Sequence, residues 1–469
     1  MNSNLHVVMF PYLAFGHISP FLQLAHKISS CAASGGVRVT FLSAAANVPR
    51  IESLLPASTS ISVVPLHLPA VPGLPPGVES TADLPPTSPA AELLKLAVDG
   101  TRPQVESLLR ELRPHLAIFD FGMQWLPEVA EPLGVRTLFF SVFAAVSTAY
   151  LTVPARRLHG PAPTLGNIMA PPPGFPSAAS SIRSVPAYQA ADFLYIFKSF
   201  GGGACVYERV VKCIESCSAI IAKTCTEMEG PYIDYVERQF RKPMLLAGPV
   251  VPDAPEGELE ARWAKWLGGF AEGTVVFSSF GSETFLTDEG ERELLLGLEM
   301  TGMPFLVVLN RPKSGTNGEQ EEVRTRLPKG FEERVKGRGM VHSGWVQQQH
   351  ILRHKSVGCF VCHAGLSSVM EGVAAGCQLA MMPQKGDQYL NAALFAGDLG
   401  MGVEVEREGE GGSFTRESVC AAVRKLMAAE AEAEVRKKHG KWREFLLDKE
   451  LQDGFTAKLV ERLRELANA

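Results

Sequence analysis

The sequence predicts an α/β protein of two domains, each a parallel sheet flanked by helices. Three observations carry that prediction. Short apolar runs of strand length alternate with helical periodicity through most of the 469 residues, the pattern left by repeated strand and helix units. The series breaks at a stretch rich in Pro, Gly and acid, residues 247–257, and then restarts. A hydrophobic content of 46% in a chain of this length can fill two cores of ordinary size. The expected division is an N-terminal domain over residues 1–246, a linker over 247–262, a C-terminal domain over 263–448 and a last helix over 449–469.

In the first domain, Leu5–Phe10 reads as a strand that stops at Pro11. A loop, Pro11–Pro20, leads into a helix with Phe21, Leu22, Leu24, Ala25 and Ile28 on one face. Further strands are expected at Val37–Leu42, Ile61–Leu66, Leu116–Phe119, Leu138–Val142, Ala219–Ala222 and Leu245–Ala247. Pro65–Pro89 and Arg157–Val185, both dense in Pro, read as irregular surface segments, either walls of a substrate site or plain connections. In the second domain strands are expected at Thr274–Phe277, Phe305–Leu309, Met340–His342, Val357–Cys362, Leu379–Met382 and Val403–Val405. Arg311–Arg324 reads as a polar loop. Glu417–Ala469 reads as helices with buried faces at Trp442, Phe445, Leu446 and at Leu459, Val460, Leu463.

Four strand ends carry residues suited to chemistry. The strand Val357–Cys362 runs into His363-Ala364-Gly365-Leu366-Ser367-Ser368, where a helical pattern begins. Unpaired N–H groups and the positive end of the helix dipole would face an anion there, and Gly365 would let the backbone approach it. Glu371, four residues beyond Ser367, falls on the same helical face one turn deeper, where a carboxylate suits vicinal hydroxyls. The turn Ser278–Ser282 ends another strand with small hydroxyl residues, a weaker signal of the same kind. His17 lies at the first strand-to-helix junction and Asp120 closes the strand Leu116–Phe119. Position alone assigns neither a role, since a surface histidine and a helix-capping aspartate fit the same pattern.

The spacing of Trp345, Gln348, His363, Gly365, Ser368, Glu371, Asp387 and Gln388 resembles the signature box of plant UDP-dependent glycosyltransferases. That resemblance implies two Rossmann-like domains facing across a cleft, the GT-B arrangement, with the last helix crossing back to the N-terminal domain. It implies that Trp345 stacks on uracil, that Gln348 and Glu371 hold ribose, that His363 and Ser368 hold the diphosphate, and that Asp387 and Gln388 contact the donor sugar. Ser282, Val346, Gly365 and Ser367 complete the expected donor site. This chain has Leu366-Ser367 where the commonest box has Trp-Asn, so the Asn side-chain contact is lost while backbone donors remain. Gly16-His17-Ile18-Ser19-Pro20 resembles the family's N-terminal loop, which implies that His17 is the general base and Asp120 its partner. Gln378, Pro383-Gln384 and Gly386-Asp387-Gln388 are most similar to the subgroup that extends an existing flavonoid or anthocyanin glycoside.

The implied reaction is an inverting, metal-independent transfer of a sugar, glucose first, from UDP to a hydroxyl of a small lipophilic molecule. Rhamnose, xylose, an aglycone acceptor or a terpenoid glycoside are the alternatives within that chemistry. No Asp has another Asp two positions on, so the Asp-x-Asp element of metal-dependent sugar transferases is absent, and neither a metal nor a cofactor is expected. A silent nucleotide-sugar binder would not need both His17 and Asp120. A dinucleotide oxidoreductase would need Gly-x-Gly-x-x-Gly after the first strand, where the chain has Ala14-Phe15-Gly16-His17. The formal net charge of −5 without a long like-charged block argues against nucleic-acid and membrane partners. Nine Cys without an export signal argue for reduced thiols and a cytoplasmic monomer. Cys359-Phe360-Val361-Cys362-His363 matches a haem-attachment pattern but falls inside an apolar strand, and the uncharged run Thr137–Ala155 reads as strand, loop and helix, not as a membrane span.

Overall fold

The computed structural model describes residues 5–31, 36–55, 60–85, 88–157, 163–251, 254–281, 284–310, 326–428 and 433–469. Ser282 and the loop expected at Arg311–Arg324 lie outside the described residues.

Seven parallel strands form the first sheet: β1 (Leu5–Phe10), β2 (Val37–Ala44), β3 (Ile61–Leu66), β4 (Leu116–Phe119), β5 (Arg136–Ser141), β6 (Ala219–Ala222) and β7 (Met244–Leu246). Their order is β3-β2-β1-β4-β5-β6-β7. Six more make the second: β8 (Val275–Ser279), β9 (Phe305–Leu309), β10 (Gly339–Ser343), β11 (Val357–Cys362), β12 (Gln378–Met381) and β13 (Gly402–Glu404). Their order, β10-β9-β8-β11-β12-β13, repeats the first six of the other sheet. Both faces of such sheets are covered by helices, so strands such as β1 and β4 are buried at every position and read as continuous apolar runs. Strand order reverses between β1 and β4 in the first sheet and between β8 and β11 in the second. Crevices outside the carboxyl ends of the strands open at such reversals.

The first helix, Phe15–Ser30, starts well before the end of the expected loop and contains Pro20. The apolar face responsible continues through that point: Ile18, Phe21, Leu22 and Ala25 are all buried, which outweighs the one backbone bond that Pro20 cannot make. His17 therefore stands in the first helical turn, with its N–H bonded to the Ala14 carbonyl at 2.8 Å. A helix at Ala261–Leu267 begins inside the stretch expected as linker, and its Trp263 packs on His342 of β10. The last helix, Lys449–Asn468, buries Leu459, Val460 and Leu463 in the cluster that holds β1 and the first helix. It thus crosses back to the first sheet, as the resemblance implies.

The two halves are also fastened directly. Asp398, beyond β12, accepts hydrogen bonds from the Ser181 N–H at 2.6 Å and the Tyr232 hydroxyl at 2.5 Å. Cys359 and Cys362 are enclosed in β11, and burial pushes both thiols up, Cys362 to about 12, so neither is placed for haem attachment. Among the described residues, no helix is long and apolar enough to cross a membrane.

Candidate active site

β1 and β4 are neighbours in register, so the segments that leave their carboxyl ends meet. His17 follows β1, Asp120 follows β4, and the His17 Nδ1 lies 2.7 Å from the Asp120 Oδ2. That oxygen also accepts the Tyr12 N–H at 3.1 Å, while Oδ1 accepts the Phe121 N–H at 2.7 Å. Asp120 is buried, with its oxygens fixed by backbone as well as by imidazole. A carboxylate at Nδ1 selects the tautomer with its proton there and puts the lone pair on Nε2. The ring is held by Tyr12, Phe121 and Phe143, with centroids 5.7, 5.4 and 5.5 Å away. Sequence reasoning missed this aromatic frame. Only its closeness to His17 and Asp120 in the chain hinted at Tyr12 and Phe121, and nothing hinted at Phe143.

The second crevice is built the same way. His363 leaves β11, and Gly281 leaves the adjacent β8. The His363 ring lies between two glycines: a Cβ on Gly365 would fall 2.4 Å from Nε2, and one on Gly281 would fall 2.9 Å from Cε1. Nδ1 is buried without a hydrogen-bond partner among the described residues. Burial, with Lys385 adding, pushes the imidazole down to about 4, so it is neutral at physiological pH. Ala364 has φ 60°, a left-handed conformation unusual for a residue with a side chain. The Asn391 side chain, fully buried, holds that turn by donating to the Ala364 carbonyl at 3.0 Å.

The helix Leu366–Ala375 starts from Gly365 with no side chain capping its N–H groups. An uncapped N-terminus of this kind is suited to an anion. Ser368 is buried in the first turn and Ser367 is exposed. One turn on, Glu371 accepts a hydrogen bond from the Gln348 Nε2 at 2.7 Å. Burial raises the Glu371 carboxyl, with the Gln348 bond opposing. Trp345 is 76% exposed, a large aromatic face turned to solvent. Val346 behind it is buried, and its carbonyl accepts the Gln348 N–H at 2.8 Å.

Asp387 and Gln388 begin the helix Asp387–Ala392. Asp387 Oδ2 accepts a second bond from the same Asn391 amide, at 2.9 Å, so one buried side chain ties the turn after β11 to this carboxylate. Burial raises the Asp387 carboxyl, while Asn391, Lys223 and His17 pull it down. Phe143, which packs on the His17 ring, lines one cavity with Asp387, so the two strand-end sites face each other across the cleft. Gln388 spends its oxygen on its own loop, accepting the Gln384 and Lys385 N–H groups at 2.9 and 3.2 Å. Its nitrogen, 3.4 Å from the Thr284 hydroxyl, is what remains for a ligand.

Between the halves lies a cavity of about 310 Å³. Phe139, Phe143, Leu151, Phe193 and Ile196 make it apolar, while Asp192, Gly386, Asp387 and Gln388 make one wall polar.

Residues 255–434 match the family described as UDP-glucoronosyl and UDP-glucosyl transferase. Over 471 residues, 99% of this chain and 97% of the relative, the chain is 52% identical to an anthocyanidin-3-O-glucoside rhamnosyltransferase of Petunia hybrida. The chain belongs to the UDP-glycosyltransferase family. It is also 38% identical to an anthocyanidin 3-O-glucoside 2''-O-glucosyltransferase of Ipomoea nil, over 98% of both chains. The fold is shared with Medicago truncatula UGT71G1, solved with UDP-glucose, at a TM-score of 0.76 and 20% identity over 100% of this chain and 99% of that one. As a member of this family the protein is a UDP-sugar-dependent glycosyltransferase of the GT-B fold.

Proposed function

We propose that this glycosyltransferase adds a sugar to the sugar of a flavonoid or anthocyanidin 3-O-glycoside, with His17 as base and Asp120 as its partner. The observation that carries the mechanism is the 2.7 Å His17–Asp120 bond at the reversal of the first sheet, facing Asp387, which follows β12 of the second. In the proposed step the acceptor oxygen attacks the anomeric carbon as its proton passes to His17 Nε2. The bond from that carbon to the diphosphate oxygen breaks, and UDP leaves with its electron pair. One displacement from the face opposite the leaving group inverts the anomeric centre. The imidazolium that forms is stabilised by Asp120. The growing charge on UDP is met by the N–H groups that open the helix Leu366–Ala375, with His363 beside them.

The rest of the donor assignment follows the same logic. Trp345 offers a flat exposed face for a base, and Gln348 with Glu371 offers paired acceptors and donors for ribose hydroxyls. Asp387 and the nitrogen of Gln388 are left for the donor sugar. The acceptor reading rests on the cavity, apolar on most sides for an aromatic aglycone and polar where a sugar would meet the base, and on the relatives named for anthocyanidin glucosides. Glucose is the donor favoured by Asp387-Gln388. A second reading, UDP-rhamnose, is favoured by the 52% identity to the Petunia hybrida rhamnosyltransferase.

Mass spectrometry of products from UDP-glucose, UDP-rhamnose and UDP-xylose, each against a flavonoid aglycone and its 3-O-glucoside, tests both parts. A gain of one sugar on the glucoside is expected, and the donor that produces it is named by the mass. Gain confined to the aglycone would overturn the acceptor reading. His17→Ala should lower kcat by about 100- to 10,000-fold with UDP binding retained, and an active variant would remove the base assignment.

A further inference from the structure

Resting on the glycoside reading, we propose that Asp192 is the residue that selects it: its carboxylate binds a hydroxyl of the acceptor's own sugar. Asp192 lies near the end of the helix Ala187–Phe193 of the first domain and lines the interdomain cavity with Gly386 and Asp387 of the second. Its Oδ2 accepts the Gly386 N–H at 2.5 Å. No other hydrogen bond to this carboxylate is formed among the described residues. An ionised carboxylate has about four acceptor positions, so most of its capacity is left toward the cavity. Gly386 holds φ 55° and ψ −137°, a backbone region that glycine alone takes readily, and this aims its N–H at Asp192.

Position makes the contact selective. Gly386 precedes Asp387, so the group that would read the acceptor sugar is clipped to the backbone next to the group assigned to the donor sugar. The two sugars would thereby be held in register against adjacent residues of one turn. Next to Asp192 the cavity turns apolar at Phe193 and Ile196. Burial raises the Asp192 carboxyl above its usual range, with the Gly386 N–H and Lys385 opposing. A ligand hydroxyl donating to it relieves that desolvation. A bare aglycone would close the cavity over the carboxylate without supplying the donor, and a site built to bond a hydroxyl rejects ligands that lack it.

The test is a cycle between residue and hydroxyl. kcat/KM is measured for a flavonoid 3-O-glucoside and for each of its monodeoxy glucosides, with wild-type protein, Asp192→Ala and Asp192→Asn. Asp192→Ala should lower kcat/KM on the parent glucoside by about 10- to 100-fold, with the Kd of UDP unchanged. One deoxy analogue should suffer the same loss with wild type and lose nothing further with Asp192→Ala. Asp192→Asn keeps an acceptor for the Gly386 N–H and should show the same analogue-selective loss, smaller in size. A uniform fall on every analogue, or a weakened UDP affinity, would make Asp192 only a clasp between domains and overturn the proposal, as would no loss on the parent. Wild-type protein that neither binds nor glycosylates any glucoside would bring down the glycoside reading first, and the Asp192 assignment with it.

Discussion

Replacing Lys223 by methionine is expected to make the protein more stable while it slows transfer. Lys223 follows β6 at the carboxyl edge of the first sheet, is more than nine-tenths buried, and makes no hydrogen bond or ion pair among the described residues. Burial pushes its ammonium down to about 8 from 10.5, and Asp387 offsets part of that cost. The difference corresponds to about 3 kcal/mol, with the attraction to Asp387 already counted because it is part of what sets the final value. Methionine has a similar length and no charge to desolvate. Replacing buried ionic groups by well-packed apolar side chains is often neutral or stabilises by about 1–4 kcal/mol provided that no bonded partner is stranded, and Lys223 has none among the described residues. For a domain of this size about 3 kcal/mol would raise Tm by roughly 6–12 °C, which is a ceiling because repacking takes some of it back.

The pH dependence supplies a second, sharper check. The folded-state value lies below the unfolded one, so between pH 8 and 10.5 the unfolded chain holds the proton that the folded chain has released. Stability of the wild type should therefore rise through that window, and the advantage of Lys223→Met, full at pH 7, should close toward pH 10.5. Thermal unfolding at pH 7, 8.5 and 10 reads both effects. A lower Tm for the variant at pH 7, or a difference that does not narrow with pH, would show that Lys223 is stably paired and refute the reasoning. Transfer should slow because Asp387 loses a neighbouring positive charge and is more readily protonated. kcat/KM for the UDP-sugar should fall while the Kd of UDP holds.

Other expectations follow from the same geometry. Asp120→Asn should lower kcat by about 100-fold or more without weakening UDP binding, because the amide no longer enforces the tautomer of His17; steady-state kinetics with calorimetric UDP titration checks it. Gly365→Ala places a Cβ 2.4 Å from His363 Nε2, so the ring must move, and UDP binding should weaken by about 1.5–3 kcal/mol in the same titration. Glu404, at the end of β13, is raised to about 7 by burial, with Arg407 opposing. Its folded value exceeds the unfolded 4.5, so its contribution is lost as pH rises through that window, and Glu404→Gln should raise Tm at pH 8 but not at pH 4.5.

Much of the fold was legible because both sheets are parallel and covered on both faces. Their strands are unbroken apolar runs, and β1, β3, β4, β6, β9 and β11 begin and end where the runs do. The turn after β11 and the helix carrying Glu371 were legible for a local reason, since strand, small residues and helix start are contiguous. The start of the first helix was not, because Pro20 reads as a boundary until the buried face formed with Ile18 is seen. Asn391 was missed although it stands four residues after Asp387, since a single amide inside an apolar helix carries no sign of its two partners. Asp192, Lys223 and the support that Phe143 gives the His17 ring were missed for another reason. They act on residues more than 100 positions away: sheet order brings Phe143 to His17, and the packing of one half on the other brings Asp192 and Lys223 to the loop that holds Gly386 and Asp387.

The distribution of strained ionisation supports placing chemistry between the halves. Asp192, Lys223, Asp387 and Glu229 are all shifted by burial. Three of them, Asp192, Glu229 and Asp387, are acids pushed up, while Lys223 is a base pushed down, which is what a low-dielectric seam does to charge. Such groups destabilise a fold unless partners offset them. Among the described residues the offsets are incomplete: Asp192 accepts one backbone N–H, Lys223 has Asp387 nearby without a bond to it, and Asp387 accepts one side-chain amide with Lys223 and His17 near it. Ionisable groups so placed are poised to gain from a polyhydroxylated ligand whose donors and acceptors complete their bonding. The same cleft with apolar residues at Asp192 and Lys223 would hold the domains together more firmly, and would have less reason to hold two sugars.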